Sequence, residues 1–361
     1  MRRGHGPGPG RRGRLDAHPS GRRGPAVIPG SGEELAALVP RLTGRRVAVV
    51  GDVCLDEYIV GRARRLSREA PVPVLEFQER WTLPGAAANP AHNLRALGSE
   101  PVLLSVVGCD PTAAELRQRL RDLGIADDGL IATPDRQTTR KTRLLAEVSL
   151  RFPQHVARID YPERRPLTPA LRQAVLDRLA AVLPTVEAVL VSDYRGGVID
   201  PVLAAEIRAL AHRAGRPVTV DSQGNLAPFR GYDLLKANQA ETEQYLGREL
   251  PSEVAVTAAA REIRDRLTVK GVVITRGPEG LALVWGEECW HVPAVNRTEV
   301  YDVTGAGDTV IAVLTLALAA GLPPLAGAYL ASLAAGQVVR RLGNAVVTPA
   351  ELMAVARSLP G

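Results

Sequence analysis

The chain has few lysines, few cysteines and no long apolar run. Each of these features limits the class of protein to which the chain can belong. Three of its 45 basic side chains are lysines, which reflects a GC-rich genome more than a function. Its three cysteines are far apart in sequence and lack metal-ligand spacing, which favours free thiols in a reducing compartment. The longest apolar runs fall short of the roughly 20 residues that a membrane helix needs. We therefore expect a cytoplasmic protein without a membrane span.

The formal charge of +6 arises from one segment. Residues 1–30 contain seven arginines and a single acid, Asp16, so the rest of the chain is balanced. Because this segment is rich in Gly, Pro and Arg and has no signal-peptide core, we predict a disordered basic tail. The main interpretation is a solvated extension or a start codon placed too early, and the alternative is weak contact with nucleic acid or a membrane. No nucleic-acid partner is expected for residues 31–361.

Short apolar runs alternate with helical patterns after the tail. The runs cover residues 46–52, 102–107, 188–192, 217–221, 234–237 and 271–275. The helical patterns cover residues 112–123, 169–183, 201–214 and 252–267. This alternation predicts an α/β fold in which helices cover both faces of a parallel sheet.

Several predicted strands end in a polar residue. Asp52, Asp193, Asp221 and Asn238 each stand at or just after such an end. In open parallel sheets, ligands bind beyond the carboxyl ends of the strands. We therefore expect these side chains to converge on one site.

Two segments interrupt the alternation and look like exposed strands. They cover residues 73–81 and 139–159, and we predict that they belong to a small β-sheet lid formed by about 58–84 and 138–160. The edges and the apolar side of such a sheet suit a contact with a second copy of the chain, so a homodimer through the lid is expected.

Residues 301–309 (Tyr-Asp-Val-Thr-Gly-Ala-Gly-Asp-Thr) carry the strongest functional signal. Gly305, Ala306 and Gly307 stand where a loop turns into an apolar helical run. Backbone N–H groups at such a turn have no intrahelical partner and favour a bound anion. Asp308 follows at once, and phosphoryl transfer to a hydroxyl needs an anion hole beside a potential base. The alternative is that Asp308 only caps the helix.

Residues 302–309 resemble the C-terminal signature of the PfkB, or ribokinase-like, family of carbohydrate kinases. The resemblance implies a three-layer α/β/α sandwich with a small β-sheet lid. It also implies ATP-dependent transfer of a phosphoryl group to a sugar hydroxyl with the help of Mg²⁺. In that family the Gly-Ala-Gly turn forms the anion hole, and the following Asp, here Asp308, takes the proton from the hydroxyl.

The N-terminal half resembles the sugar-binding part of the same family. Asp52 and Asp56 match its first carboxylates, and paired carboxylates accept strong hydrogen bonds from sugar hydroxyls. Gly85 to Asn89 resemble a Gly-Gly-Ala-Ala-Asn element in which the glycines form a hinge and the Asn contacts sugar. Ala86 replaces the second glycine, so a stiffer hinge is expected. A turn Asp and a packed helix start are the alternatives for these residues.

The segment Asn238-Gln239-Ala240-Glu241 resembles the family's Asn-x-x-Glu element. It implies that Glu241 organises Mg²⁺ and its waters while Asn238 lies close to the nucleotide phosphates. One acidic residue is sufficient, because Mg²⁺ keeps several waters. Lys236 is a further candidate for contact with a phosphate, and an Asn-capped helix start is the alternative. Weaker resemblances add four residues to the nucleotide site, with tight turns as the alternative: Thr275, Gly277, Gly280 and Asn344.

Within the family, the heptose 7-phosphate kinases are the group that the chain resembles best. These kinases phosphorylate the anomeric hydroxyl of D-glycero-D-manno-heptose 7-phosphate to give the 1,7-bisphosphate. Lys141, Arg143 and Arg158 are then candidates for holding the 7-phosphate, and Asp193 for holding the sugar. The alternative for the basic residues is a solvated lid surface. The segments that carry the resemblance are 66–73, 139–143, 158–160, 192–194 and 291–294.

Three departures from this group keep other functions open. A Lys is usual shortly after Ser-Asp-Tyr, where this chain continues with Arg195, and Asp221 begins Asp-Ser-Gln instead of Asp-Pro-Lys. Ala86 is the third departure. The alternatives are a fructokinase-, phosphofructokinase- or ribokinase-like enzyme, or a relative that binds sugar or nucleotide without catalysis. Because the resemblance ends near residue 348, we expect a separate enzyme for any nucleotidyl transfer.

Overall fold

The structure is a computed structural model, and it describes residues 31–147, 154–295, 303–341 and 343–359. The predicted tail at residues 1–30, part of the predicted lid segment, and Tyr301 and Asp302 of the signature lie outside the described residues. Within the described ranges, no helix has both the length and the apolar character needed to cross a bilayer.

The described residues form two sheets and the helices that pack on them. The strands are β1 Arg46–Gly51, β2 Val53–Leu66, β3 Pro73–Ala86, β4 Glu100–Gly108, β5 Leu130–Thr133, β6 Thr139–Glu147, β7 Gln154–Tyr161, β8 Ala188–Asp193, β9 Val218–Ser222, β10 Leu234–Asn238, β11 Gly271–Thr275, β12 Leu281–Trp285 and β13 Glu288–Val292. The helices are α1 Gly32–Leu38, α2 Ala88–Ala96, α3 Pro111–Asp122, α4 Pro169–Val182, α5 Pro201–Arg213, α6 Gln239–Leu246, α7 Glu253–Leu267, α8 Ala306–Ala319, α9 Pro324–Val338 and α10 Pro349–Arg357.

The main sheet has the order β13-β12-β11-β10-β9-β8-β1-β4-β5 among the described residues. Its strands are parallel from β5 to β11, which confirms the predicted parallel sheet. The β12 and β13 edge is antiparallel, and the alternation of runs and helices did not predict it. Antiparallel neighbours need only a short connection, so no helical pattern marks the step from β11 to β12.

Alternate residues of the central strands enter two separate apolar cores. Val47 and Val49 of β1 pack with α1, α2, α8, α9 and α10 on one face of the sheet. Ala48 and Val50 pack with α4, α5 and α7 on the other face. Because side chains of a strand point alternately to opposite faces, one apolar run supplies both cores. The predicted three-layer α/β/α sandwich is therefore confirmed.

A second sheet, here called the small sheet, has the order β3-β2-β6-β7. Strand β2 pairs antiparallel with β3 and parallel with β6, and β6 pairs antiparallel with β7. Only Asp52 separates β1 of the main sheet from β2 of the small sheet. The small sheet therefore grows directly out of the carboxyl end of β1, and it begins earlier in the chain than position 58.

Candidate active site

The candidate active site lies at the carboxyl ends of the central strands of the main sheet. Asp52 follows β1, Asp193 ends β8, Asp221 lies near the end of β9, and Lys236 lies in β10. All four side chains are buried. The α8 helix begins above the same strand ends, and its first turn completes the site.

The start of α8 is formed by the Gly-Ala-Gly turn. Gly305 is the N-cap residue with a left-handed φ of 79°, and its position has no side-chain cap. A β-carbon at Gly305 would stand 2.7 Å from Asn89 Nδ2, and one at Gly307 would stand 2.7 Å from Lys236 Nζ. The left-handed φ favours glycine at position 305. At position 307 the absence of a side chain lets the Lys236 ammonium group lie against the N–H groups that favour an anion.

Asp308 lies in the first turn of α8, and its side chain is only 5% exposed. Its carboxylate accepts a hydrogen bond from Asn89 Nδ2 at 2.6 Å. The Tyr194 hydroxyl lies 2.8 Å from Oδ1 and 3.0 Å from Oδ2 of the same carboxylate. The side chain is therefore fixed by donors from two different elements.

Burial raises the pKa of Asp308 to about 7, and the charge of Asp221 adds to this effect. The hydrogen bond from Asn89, the charge of Lys236 and the hydrogen bond from Tyr194 act in the opposite direction. A carboxylate that exchanges its proton near neutral pH is suited to general base catalysis.

The two side chains that hydrogen-bond to Asp308 were not predicted as its partners. Asn89 was predicted to contact sugar, and its amide also donates to Asp308. Tyr194 received no role, although it belongs to the Ser-Asp-Tyr segment. The contact between Tyr194 and Asp308 joins residues 114 positions apart in the chain. Local sequence pattern holds no signal for such a contact.

Lys236 and Asp221 form a buried ion pair beside the start of α8. The ammonium group lies 3.0 and 2.8 Å from the two carboxylate oxygens. Burial acts against the charge of Lys236, but the charges of Asp221 and Glu241 outweigh it and raise the pKa of Lys236. Lys236 is therefore a fixed cation next to Gly307.

A cavity of about 660 Å³ lies between α8, α9 and the ends of β10 and β11, and we call it the α8–α9 cavity. Seven predicted site residues line it: Lys236, Asn238, Thr275, Gly277, Gly280, Ala306 and Gly307. The sequence did not predict the apolar wall, which is formed by Val310, Ala335, Gly336 and Val339.

Asn344 lies between the start of α8 and the small sheet. Its amide lies 3.5 Å from Asp56 Oδ2, and its Oδ1 lies 3.4 Å from where a β-carbon of Gly305 would stand. Gly343, with a left-handed φ of 74°, turns the chain there and stands near Leu83 of β3. Asn344 does not line the α8–α9 cavity, and its contact with the nucleotide stays a prediction.

Asn238 and Glu241 form a reciprocal cap at the start of α6. The Asn238 side chain accepts from the Glu241 N–H at 2.8 Å, and Glu241 Oε2 accepts from the Asn238 N–H at 2.7 Å. The helix-cap alternative is thus realised in the structure. Burial raises the pKa of Glu241, and the charge of Lys236 opposes this. Across the described residues, no cluster of three or more His, Cys, Asp or Glu side chains is placed to hold a metal.

A second cavity of about 190 Å³ lies between the small sheet and the loop after β8, and we call it the small-sheet cavity. Asp52, Lys141 and Arg158 line it, as predicted from sequence. Arg164 and Arg195 also line it, although the sequence did not identify them. Four basic side chains therefore surround this cavity.

Asp52 holds the loop that forms one wall of the small-sheet cavity. Its carboxylate accepts from the backbone N–H groups of Tyr194, Gly196 and Val198, each at 2.9 Å. Burial raises the pKa of Asp52, and these hydrogen bonds lower it. Asp193 supports the same loop, because it accepts from the Arg195 N–H at 2.9 Å and from the Ser222 hydroxyl at 2.8 Å.

Arg143 and Arg158 differ in how they are held. Arg143 Nη1 donates to Asp56 Oδ1 at 2.7 Å, and its guanidinium group lies 5.1 Å from the centre of the Tyr58 ring. Arg143 does not line the small-sheet cavity, and its contact with a phosphate stays a prediction. Arg158 lies on the exposed β7 and pairs with Asp160 at 2.8 Å.

The junction between β3 and α2 has an unusual backbone. Ala86 has a left-handed φ of 54°, which is unfavourable for a residue with a β-carbon. A β-carbon at Gly85 would stand 2.2 Å from Asp56 Oδ2, so only glycine fits there. Ala86 thus adopts the backbone that its family resemblance assigns to glycine, at a cost of about 1–2 kcal/mol.

Comparisons with known proteins agree with this geometry. The profile described as pfkB family carbohydrate kinase matches residues 45–351. The chain is 37% identical over 329 residues to the bifunctional protein HldE of Acidiphilium cryptum, and 38% identical over 323 residues to that of Citrifermentans bemidjiense. These alignments cover 91% and 89% of the chain. The chain spans 66% and 65% of the two relatives, less than two thirds of their length.

Solved structures show the same fold at lower identity. Phosphofructokinase-2 from Escherichia coli, in complex with potassium, superposes with a TM-score of 0.71 at 20% identity. Arabidopsis thaliana ribokinase, in complex with ribose and ATP, superposes with a TM-score of 0.70 at 20% identity. Each covers 87% of this chain, and 98% and 99% of the respective neighbour is matched.

The raised pKa of Asp308 predicts a pH-dependent effect of Asp308→Asn on stability. The folded state binds this proton more tightly than the unfolded state, so the wild type loses stability as pH rises from about 4 to about 7. The variant has no such proton. Its free energy of unfolding should therefore rise relative to the wild type, on the order of 4 kcal/mol across that window.

Chemical denaturation of both proteins at about pH 5 and about pH 8 measures the part of this difference that lies above pH 5, about 3 kcal/mol. Asp177→Asn, on the exposed face of α4, controls for the loss of one carboxylate. An equal difference between Asp308→Asn and wild type at both pH values would contradict the raised pKa.

Proposed function

The chain belongs to the pfkB family of carbohydrate kinases, and we propose that it transfers the γ-phosphate of ATP to the anomeric hydroxyl of D-glycero-D-manno-heptose 7-phosphate. The family confirms the coarser prediction, a phosphotransferase that acts on a sugar hydroxyl. The heptose phosphate, ATP and Mg²⁺ are the finer parts of the proposal. They are supported by the resemblance of the lid segments and by the charges around the two cavities.

The position of Asp308 between the two cavities is the observation that carries the proposal. Asp308 directly follows Gly307, which lines the α8–α9 cavity. It is also hydrogen-bonded to Tyr194, which lines the small-sheet cavity. A phosphate donor in one cavity and a sugar hydroxyl in the other would both reach this carboxylate.

In the proposed mechanism, the ionised carboxylate of Asp308 accepts the proton of the sugar hydroxyl as that oxygen attacks phosphorus. The N–H groups at the start of α8 and the ammonium group of Lys236 stabilise the charge on the transferred phosphoryl group. A positioned general base contributes about 10²–10⁴-fold to the rate. The small sheet closes over the acceptor and excludes water, which prevents hydrolysis of ATP.

Glu241 would hold Mg²⁺ through water at the mouth of the α8–α9 cavity. The reciprocal cap fits this role, because it fixes the side chain while one carboxylate oxygen is used by the Asn238 N–H. An ion that keeps most of its waters and binds phosphate oxygens needs no cluster of protein carboxylates. When bound, it would neutralise phosphate charge.

The charge of the small-sheet cavity favours an acceptor that carries its own phosphate. Lys141, Arg158, Arg164 and Arg195 surround it. The three acids of the wall are already bonded: Asp52, Asp160 and Glu163. A phosphate at the end of the sugar remote from Asp308 would meet this basic group. One guanidinium group can donate hydrogen bonds to two phosphate oxygens at once, so arginine orients the phosphate as well as neutralising its charge.

We also propose that the small sheet forms the contact of a homodimer. Ile159 and Tyr161 are 44% and 45% exposed on β7, which is an edge strand. They alternate with Arg158 and Asp160, which line the small-sheet cavity, so they lie on the opposite face. An exposed edge with apolar side chains is suited to pairing with a second copy.

Asp308→Asn should lower turnover by about 10²–10⁴-fold while ATP and sugar still bind, because only the base is lost. ADP release with a panel of heptose 7-phosphate, fructose phosphates and free sugars measures turnover, and calorimetry measures binding. Near-normal turnover in the variant would remove Asp308 as the base. Turnover by the wild type with a fructose phosphate or free sugar in preference to heptose 7-phosphate would contradict the proposed substrate.

Arg195→Ala should lower kcat/KM for the phosphorylated acceptor by about 10–100-fold, because one charged contact to phosphate is lost. Activity with the same sugar lacking its phosphate is the internal control, and it should be equal in variant and wild type. The KM for ATP should also stay the same. An equal loss with both acceptors would show that Arg195 does not contact the phosphate.

Ile159→Glu should convert the dimer to a monomer, because it places a charge in the apolar contact. Light scattering after size-exclusion chromatography measures the molar mass. Val254→Glu, at an exposed apolar position of α7, is the matched control and should leave the dimer intact. A wild-type monomer, or a dimer unaffected by Ile159→Glu, would rule out this surface.

A further inference from the structure

We propose that Tyr194 is a positioning residue whose hydroxyl orients the carboxylate of Asp308 and favours its ionised form. The inference rests on the proposed function, since it concerns the base of the same reaction. Tyr194 belongs neither to the signature motif nor to the residues predicted to bind the acceptor, and the inference gives its side chain a role.

Two side chains on different sides of Asp308 hydrogen-bond to its carboxylate. Asn89 donates to Oδ2 from α2, and the Tyr194 hydroxyl approaches both oxygens from the loop after β8. The Asn89 side is supported within α2 and α8. Asn93 Nδ2 donates to the Asn89 carbonyl at 3.0 Å, and the Thr309 hydroxyl donates to Asn93 Oδ1 at 2.7 Å. Two donors from different elements leave the carboxylate one orientation.

Tyr194 is itself held in place by the protein. Its backbone N–H donates to Asp52, the residue between β1 and β2. The ammonium group of Lys141, on β6 of the small sheet, lies 5.3 Å from the centre of its ring. Tyr194 thus connects the base to both walls of the small-sheet cavity. A tyrosine fixed at its backbone and on its ring can direct a hydroxyl accurately.

Tyr194 is placed to act as a hydrogen-bond donor to Asp308. Burial raises its pKa well above the ordinary value, and the charges of Asp308 and Asp221 raise it further. Other titratable groups that act on Asp308 or on this hydroxyl are Lys236, Cys54 and Lys141. A donor that keeps its proton stabilises the ionised carboxylate, against the burial that favours the neutral acid.

Tyr194→Phe tests the proposal, because it removes the hydroxyl and keeps the ring beneath Lys141. The titration midpoint of Asp308 should rise by about one pH unit when this hydrogen bond is lost. Carbon-13 NMR of aspartate-labelled protein measures it, with the signal identified by its absence in Asp308→Asn. In kinetics, the acid limb of kcat/KM should move by the same amount, and kcat near neutral pH should fall about 10-fold with an unchanged KM for ATP.

Tyr232→Phe is the matched control. Its buried hydroxyl donates to the Ala204 carbonyl at 3.0 Å. This contact lies in the apolar core on the face of the main sheet opposite α8. It should lower thermal stability and leave the midpoint of Asp308 where it is in the wild type. An unchanged midpoint in Tyr194→Phe, with or without a loss of stability, would overturn the proposal.

A second variant tests the opposite direction without removing the side chain. Incorporation of 3,5-difluorotyrosine at position 194 makes the phenol a stronger donor, so the midpoint of Asp308 should fall. The titration needs no sugar, so it reports on Tyr194 even if every acceptor of the panel fails. Inactivity with all acceptors would contradict the proposed function alone, whereas an unmoved midpoint in both Tyr194 variants would contradict the positioning role alone.

Discussion

The burial of one carboxylate at the start of α8 is the constraint on which the site depends. Asp308 is removed from water, and the only compensation comes from groups that other elements supply. Asn89 reaches it from α2, Tyr194 from the loop after β8, and Lys236 from β10. These elements lie far apart in the chain, so the parallel sheet is what makes their meeting possible. The same burial raises the pKa of Asp308 to about 7, near neutral pH, which suits the general base of the proposed mechanism.

The sequence predicted the parts of the site that depend on local backbone. The Gly-Ala-Gly turn before an apolar run identified the start of α8, and strand ends identified Asp52, Asp193 and Asp221. Glycine turns and strand ends can be recognised from a few consecutive residues. The sheet with helices on both faces was predicted from the same kind of local pattern. Most of the residues predicted for the nucleotide site therefore line the α8–α9 cavity, and Asn344 lies beside Gly305 without lining it.

The sequence did not predict which partner each side chain has. Arg143 was a candidate for phosphate, but the parallel pairing of β2 with β6 places it against Asp56 and Tyr58. From the sequence, Tyr194 was only a member of the Ser-Asp-Tyr segment. Its contact with Asp308 was not predicted, because tertiary packing brings the two side chains together. Arg164 and Arg195 are ordinary surface residues in sequence, and only the loop after β8 brings Arg195 to the cavity. Pairings across more than a hundred residues leave no trace in one sequence.

The way Asp52 binds the loop after β8 has a consequence for the evolution of this enzyme. Asp52 contacts backbone amides of that loop and none of its side chains. A β-carbon at Gly196 would stand 2.8 Å from the Asp52 carboxylate, and Gly197 has a left-handed φ of 81°. Substitutions at the other positions of the loop therefore change the chemistry that faces the acceptor while the shape of the loop stays the same. Arg195, which lines the small-sheet cavity, is one such position. Selection for a new acceptor would thus change side chains whose substitution leaves the loop backbone in place. The residues at the start of α8 that are proposed to transfer the phosphoryl group would stay unchanged.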